Sequence, residues 1–432
     1  MSSQPPSLWS DEAQRRHLRR NFTALAMDGG FYGAATALMA VETLLPTLLH
    51  QLGGPTWLVA LAPSLYQYGF LIIPVLVVGW TERLRRYQPA VAWTSVPQRM
   101  PPLFAGLALL FLHESHPQLT LWVVALTPLL ISLNGGFNVA AFWQLFSKVL
   151  PPNRRASNMG VRNIIGTVCG FLAASAGATV LAHRPGVEGA GLLYLAAFGF
   201  MMLSLLLFCQ IRELPGPPPP PHDPSHELLP RLRALPAHWR TEPILRRYTF
   251  ARIFGTGIGV FTPFLALHAL SVLKLSGNQV GRFVAAQMFG GIIGNLLTAW
   301  LGDRRGGRSV ALVGGWLSLA LCAGVLLNRS ETGFFVLFAV FGMVTFLNAN
   351  GAAALLLEIF PAQRRPTSFA LSSLLMAPAM LGSAAAAWGA GVLRETTNSL
   401  WIGALAGAAL TALSLWFYHR LPDRQERVVG SE

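Results

Sequence analysis

Residues 280–327 read VGRFVAAQMFGGIIGNLLTAWLGDRRGGRSVALVGGWLSLALCAGVLL, and this stretch decides the fold. Two apolar runs, 280–301 and 309–328, flank the basic connection Gly302-Asp303-Arg304-Arg305-Gly306-Gly307-Arg308. Each run is long enough to cross a hydrocarbon core of about 30 Å as a helix rising about 1.5 Å per residue. The same unit, a membrane-length run followed by a short charged connection, recurs along the chain. Twelve spans are predicted, near 22–49, 57–79, 91–112, 119–143, 158–182, 190–211, 248–272, 280–301, 309–328, 333–357, 368–392 and 398–419. The third is interrupted by Gln98, Arg99, Pro101 and Pro102.

Composition agrees with a bilayer protein. The 432 residues are 53% hydrophobic and 12% charged, with a mean hydropathy of +0.48. A soluble domain has about a quarter of its residues charged. A chain with half that charge cannot cover its surface with polar groups in water. Disorder, collagen, coiled coil and a small disulfide scaffold are excluded by the same numbers. The net charge of +14 suggests nucleic acid, but its source does not: only Lys148 and Lys274 are lysines among 32 basic residues. The arginines fall in short clusters between apolar runs, as in membrane topology signals, and not on one soluble face. Cys169, Cys209 and Cys322 lie in apolar stretches and read as small packing residues, not disulfide partners.

Counting Lys and Arg in the connections gives 24 on the side that holds both termini and four (Arg184, Lys274, Arg329 and Arg394) on the other. By the positive-inside rule both termini are expected in the cytoplasm. Residues 1–20 are polar and basic and do not read as a cleaved leader. The expected layout is a tail at 1–21, a six-helix bundle at 22–211, a linker at 212–247, a second bundle at 248–419 and a tail at 420–432. The linker holds Pro217 to Pro221, a stiff extended stretch, followed by a basic piece.

The halves repeat weakly. Pro-Pro-Asn-Arg-Arg-Ala-Ser at 151–157 echoes Pro-Ala-Gln-Arg-Arg-Pro-Thr at 361–367, an offset of 210. Leu52-Gly53-Gly54 echoes Leu275-Ser276-Gly277 at 223, and Phe22-Thr23 aligns with Tyr248-Thr249 at 226. In order and at equivalent connections, these matches argue for a duplicated six-span unit.

With these features the sequence resembles the major facilitator superfamily of secondary transporters, over nearly its whole length. The most specific residues are Gly302, Asp303, Arg304, Gly306 and Arg308, which resemble that family's Asp-Arg-x-Gly-Arg-Arg connection, with Gly307 in the slot of one arginine. The first-half copy, Glu82-Arg83-Leu84-Arg85-Arg86, is degenerate. The resemblance implies an all-α membrane fold of twelve helices in two pseudo-symmetric bundles. It further implies a gate in which Asp303 faces the start of the fifth span, near Arg154 to Arg162, and holds the outward-open state. A carboxylate there can accept N–H bonds at a helix start and pair with arginines.

Ionisable residues within a span are functional suspects. Asp28 and Glu42 lie fourteen residues apart in the first span, about 40° apart around one continuous helix, with Tyr32 between them. Each suits a proton carrier or a cation-binding charge. Alternatively Asp28 pairs with Arg162 or Arg252, and Glu42 snorkels near the outer end. By the family's layout, further candidates for substrate contact are Tyr32, Tyr66, Tyr68, Asn134, Asn138, Arg162, Arg252, His268, Gln287, Asn295, Asn348 and Trp388, the amides also being suited to interhelical hydrogen bonds. His268 reads as a headgroup-level residue or a titrating group. Arg99 is expected to snorkel to the cytoplasmic headgroups. Glycines in spans 5, 8 and 11 are expected to permit close helix packing.

There is no GxxxxGK[ST] loop, no HExxH helix, no His/Cys cluster and no GxSxG turn, so neither an enzyme nor a cofactor is expected. The expected function is secondary active transport of a small molecule by alternating access, coupled to protons, with uptake and export both open. Expected partners are the substrate, protons and the bilayer, with no nucleic acid and a monomeric state. The near absence of lysine beside thirty arginines points to a bacterial inner membrane. A transport-dead sensor or scaffold using the central loop is the other reading.

Overall fold

A computed structural model describes residues 12–82, 84–214, 237, 239–275, 279–360, 365–397 and 400–422. Among these the chain is entirely helical. The first half comprises α1 (Glu12–Met39), α2 (Leu44–Gln51), α3 (Thr56–Glu82), α4 (Tyr87–Arg99), α5 (Pro101–Phe111), α6 (Pro117–Val149), α7 (Pro152–His183) and α8 (Val187–Phe208). The second comprises α9 (Pro243–Gly255), a short 3₁₀ turn (Thr256–Val260), α10 (Thr262–Leu273), α11 (Val280–Leu327), α12 (Glu331–Ile359), α13 (Arg365–Thr397) and α14 (Trp401–His419). Proline opens α5, α6, α7, α9 and α10, where its missing N–H removes only a donor that the first turn leaves unpaired. Among the described residues eleven segments are long and apolar enough to cross a membrane.

Three predicted spans differ from a single rod, among them the seventh, which is α9, the 3₁₀ turn and α10 in succession. The third is α4 and α5 abutting at Met100, whose φ −72° and ψ −35° are still helical. Pro101 and Pro102 lack the N–H groups that would carry the hydrogen-bond ladder across the joint. The first span breaks between Met39 and Leu44, with Ala40 at φ 34°. Pro46 follows four residues after Glu42, so its ring cannot sit under a helical Glu42 carbonyl and the break falls one turn upstream. The fourteen-residue helical arithmetic linking Asp28 to Glu42 therefore does not apply.

In the first half α1 packs on α7 and α8, α3 and α4 pack on α6, and α5 packs on α8. In the second half α11 packs on α12 and α14, and α9 packs on α14. The halves meet through α3 against α13 and α7 against α11. The apolar core has two different ends. Away from the chain termini a single buried cluster joins both halves, with Leu45, Leu58, Ala174 and Tyr194 from one and Phe264, Phe283, Phe338 and Ala387 from the other. Toward the termini the core is split. Leu25, Leu145 and Phe208 belong to a first-half cluster, and Leu245, Tyr248, Leu355 and Tyr418 to a second-half one.

Candidate functional site

A cavity of about 360 Å³ lies where the halves face each other. The first half lines it with Tyr32 and Thr36 of α1, Glu42 of the break, Tyr66 and Gln67 of α3, and Arg162, Asn163 and Thr167 of α7. The second half contributes Gln287 and Met288 of α11 with Thr345 and Phe346 of α12. The break after Met39 turns Glu42 into this space, where its carboxylate accepts from Gln287 Nε2 at 3.4 Å. The Gln287 carbonyl oxygen in turn accepts from Thr43 Oγ1 at 2.6 Å. Glu42 is thus tied across the halves by a neutral amide. Further along α11, Asn295 donates to Thr167 Oγ1 at 3.3 Å and accepts from Asn350 at 3.1 Å. The Gln287, Gly291 and Asn295 stripe of α11 faces the first half along its length.

Asp28 belongs to a second constellation, wholly inside the first half. Its Oδ2 lies 2.9 Å from Arg162 Nη1, and its Oδ1 lies 3.5 Å from Arg99 Nη2. Ser204 of α8 donates to Oδ1 at 2.6 Å. Arg99 also donates to the Met201 carbonyl at 2.9 Å and the Ser95 carbonyl at 3.4 Å. It is buried, 4% exposed, and points into the bundle. The expected snorkelling of Arg99 is overturned: a carboxylate within the bundle supplies what headgroups would otherwise supply. Arg162 lies against α1 because Gly29 has no Cβ to occupy that space. One turn along α1, a Cβ at Gly33 would fall 2.8 Å from the Gly166 carbonyl oxygen, so these backbones approach as closely as glycine allows.

An amide network extends from this charge cluster. Asn138 donates to Ser95 Oγ at 3.1 Å and Gln98 Oε1 at 2.7 Å, and accepts from Thr94; Gln98 donates to Tyr32 OH at 3.2 Å. Asn348 donates to Ser318 Oγ at 3.3 Å within its own half. Asn134 turns back to the Leu130 carbonyl of its own helix at 2.8 Å. Arg252 donates to Ser372 Oγ at 3.2 Å and stands over the Tyr248 ring, away from Asp28. His268 is buried, 3% exposed, with its ring 6.2 Å from that of Phe334. It is a core residue and not a headgroup-level one. Tyr68 is half-buried on α3 and Trp388 is exposed on α13, and both stand outside the cavity lining.

The Gly302–Arg308 connection is a bend within one long helix, made at Gly306 (φ 80°, ψ 173°), a left-handed conformation that glycine adopts without a Cβ penalty. Glu358, at the end of α12, accepts the freed N–H of Gly307 at 2.9 and 3.0 Å. Arg308 donates to the Tyr418 and His419 carbonyls at 3.1 and 2.6 Å, capping α14, and Arg304 stacks on Trp300 at 4.8 Å. The side chains of Asp303 and Glu82, together with Arg83, lie outside the described residues, as does the Pro217–Pro221 stretch. In the first half Glu213 accepts the N–H groups of Tyr87 and Gln88 at 3.0 and 2.7 Å. Lys148 pairs with it at 2.7 Å and donates to the Arg85 carbonyl at 3.1 Å. Sequence reasoning missed Arg99, Glu213 and Glu358. The available signal for Arg99 was Asp28, a carboxylate within a predicted span of the same half.

The sequence pattern described as Major Facilitator Superfamily matches residues 248–432. The same architecture runs through the unmatched first half. The second half of the chain thus resembles that superfamily in sequence, and the whole chain resembles it in fold. Among solved members of the fold, a nucleoside transporter, NupG, superposes with a TM-score of 0.68 at 12% identity, covering 93% of this chain and 99% of that one. A D-xylose–proton symporter gives 0.67 at 14%, covering 94% and 99%. The human organic anion transporter MFSD10 gives 0.58 at 16%, covering 97% and 100%. No curated protein matches the sequence. At 12–16% identity these matches show a shared fold and no more.

Proposed function

We propose that this protein is a secondary transporter that moves a small molecule across a bacterial cytoplasmic membrane by alternating access, with both termini in the cytoplasm. The observation that carries the reading is the cavity lined from both halves, beneath one shared apolar cluster and above two separate ones. A rocking of the halves that parts the shared cluster and brings the separate ones together would present the same cavity to the other side. Tyr32, Tyr66, Gln67, Asn163 and Gln287 are the proposed substrate contacts. Glu42 is the proposed proton carrier, because its tie to Gln287 links its charge to the contact between halves. Asp28 is second, since losing its charge would leave the buried Arg99 guanidinium and the half-buried Arg162 without their carboxylate.

A solute screen by thermal stabilisation, at acidic and neutral pH, compares the wild type with Glu42→Gln. The expected result is a stabilising solute whose pH dependence disappears in the variant. A pH dependence unchanged in Glu42→Gln defeats the coupling assignment and passes it to Asp28→Asn. The transport reading itself is tested in proteoliposomes with that solute. Thr56 bonds to Glu395 across the halves at the sealed end. Joining Thr56→Cys to Glu395→Cys, with the native cysteines replaced, is expected to stop transport reversibly. Wild-type flux through the cross-linked protein would rule out alternating access.

A further inference from the structure

A second cavity, of about 250 Å³, lies inside the first half and shares only Tyr32 and Arg162 with the central one. Its floor is polar and charged, and its walls include Val139, Phe142, Trp143 and Met159. Trp143 is the only lining residue that is exposed, at 48%, so the mouth lies beside it. The floor does not balance its charge. Two guanidiniums face one carboxylate, and the charged or titratable groups that reach Arg99 are Asp28, Tyr32, Cys209 and Arg162.

The donors are just as uneven. Arg99 engages Nε, Nη1 and Nη2 with protein acceptors. Arg162 uses Nη1 alone, toward Leu25 O and Asp28 Oδ2. Its Nε and Nη2, the two-pronged edge that matches a carboxylate, have no hydrogen-bond partner among the described residues. Its guanidinium carbon stands 5.1 Å from the Phe142 ring, which carries the apolar wall up to the charge. A net positive floor with guanidinium N–H groups left unpaired, under an aromatic wall, selects an anion with an apolar body.

We propose that this side pocket binds a small amphipathic monocarboxylate, its carboxylate on the free edge of Arg162 and its apolar body against Phe142, Trp143 and Met159. The ligand supplies the missing negative charge and takes the unused donors. The inference stands without the transport reading, because it concerns a cavity within one half.

The test uses heavy-atom quenching of tryptophan fluorescence in the purified full chain, with 4-iodobenzoate as probe and 4-iodobenzamide as its uncharged counterpart. The expected result is a saturable quenching by the carboxylate that plain benzoate relieves and the amide does not reproduce. That component should vanish in Trp143→Phe and move to at least about tenfold higher concentration in Arg162→Gln, the scale of one charge-assisted contact. Arg162→Gln leaves Asp28 paired with Arg99; Arg162→Lys, which keeps the charge but not the fork, guards against misfolding and should weaken binding several-fold. Thr345→Phe narrows only the central cavity and should change nothing. Equal quenching by the amide, or no saturable component, overturns the proposal. So does a component that survives Trp143→Phe and is lost in Thr345→Phe, which would put the carboxylate in the central cavity.

Discussion

Where the first half holds Asp28, Arg99 and Arg162, the second half, at offsets of 226, 223 and 210, holds Phe254, Cys322 and Ser372. The uncharged ties around these positions are kept. Asn138 bonds to Ser95 as Asn348 bonds to Ser318, at 3.1 and 3.3 Å. Ser204 and Ser414, again 210 apart, both reach the first helix of their own half, at Asp28 and at the Ala251 carbonyl. Even the caps correspond: Lys148 in one half occupies the place of Glu358 in the other, and each secures the connection beside it, Lys148 by pairing with Glu213. The duplicated scaffold thus needs its hydroxyl and amide ties in both copies. It does not need the charges, which the second copy replaces with an aromatic ring, a thiol and a hydroxyl. Charge in the first half is therefore an addition to the fold, and the two cavities both border it through Arg162.

The largest effect that would sharpen this contrast is Asp28→Asn. Stranding the buried Arg99 guanidinium beside the half-buried Arg162 is expected to cost about 3 kcal/mol, read as a lowered unfolding midpoint in detergent. The triple change Asp28→Phe, Arg99→Cys and Arg162→Ser, which copies the second half, should recover most of that loss. A triple variant as unstable as the single one would break the comparison, because the charges would then be holding the fold. Next in size is Gly306→Ala. A Cβ at φ 80° also presses on the Glu358 carboxylate, 3.0 Å away, so a loss of about 1–3 kcal/mol is expected. The degenerate first-half connection has no such glycine. Smallest is the pair Asn138→Ala and Asn348→Ala. Asn138 bonds to Ser95, Gln98 and Thr94 and should cost about 1.7 kcal/mol, whereas Asn348, with Ser318, should cost about 0.6 kcal/mol. Equal costs would show that the wider network of the first half adds nothing to the shared tie.

Much of the architecture was legible because hydropathy over twenty residues and the offsets at loops both survive local irregularity. The breaks were less so. Pro46 and Pro101 were plain in the sequence, but the place of the break was not: it falls upstream at Ala40 to Thr43 in the first span and at Met100, directly before the proline, in the third. The central cavity was half legible: Tyr32, Tyr66, Arg162 and Gln287 line it, whereas Asn134, Asn138 and Asn348 satisfy neighbours in their own half. Periodicity gives the face a residue occupies on its own helix. It cannot give the residue 71 positions away that stands opposite, which is how Arg99 meets Asp28. Glu213 and Glu358 were invisible for a related reason, since a carboxylate at a helix end looks like ordinary surface charge until the N–H it accepts is known.

The apolar cluster shared by the two halves has a thermal consequence. Contacts of this kind lose strength on cooling, while hydrogen bonds such as Thr43 to Gln287 do not share that dependence. Cold should therefore slacken the seal before it loosens the polar ties, and the balance between the two faces of the molecule becomes a property that temperature sets.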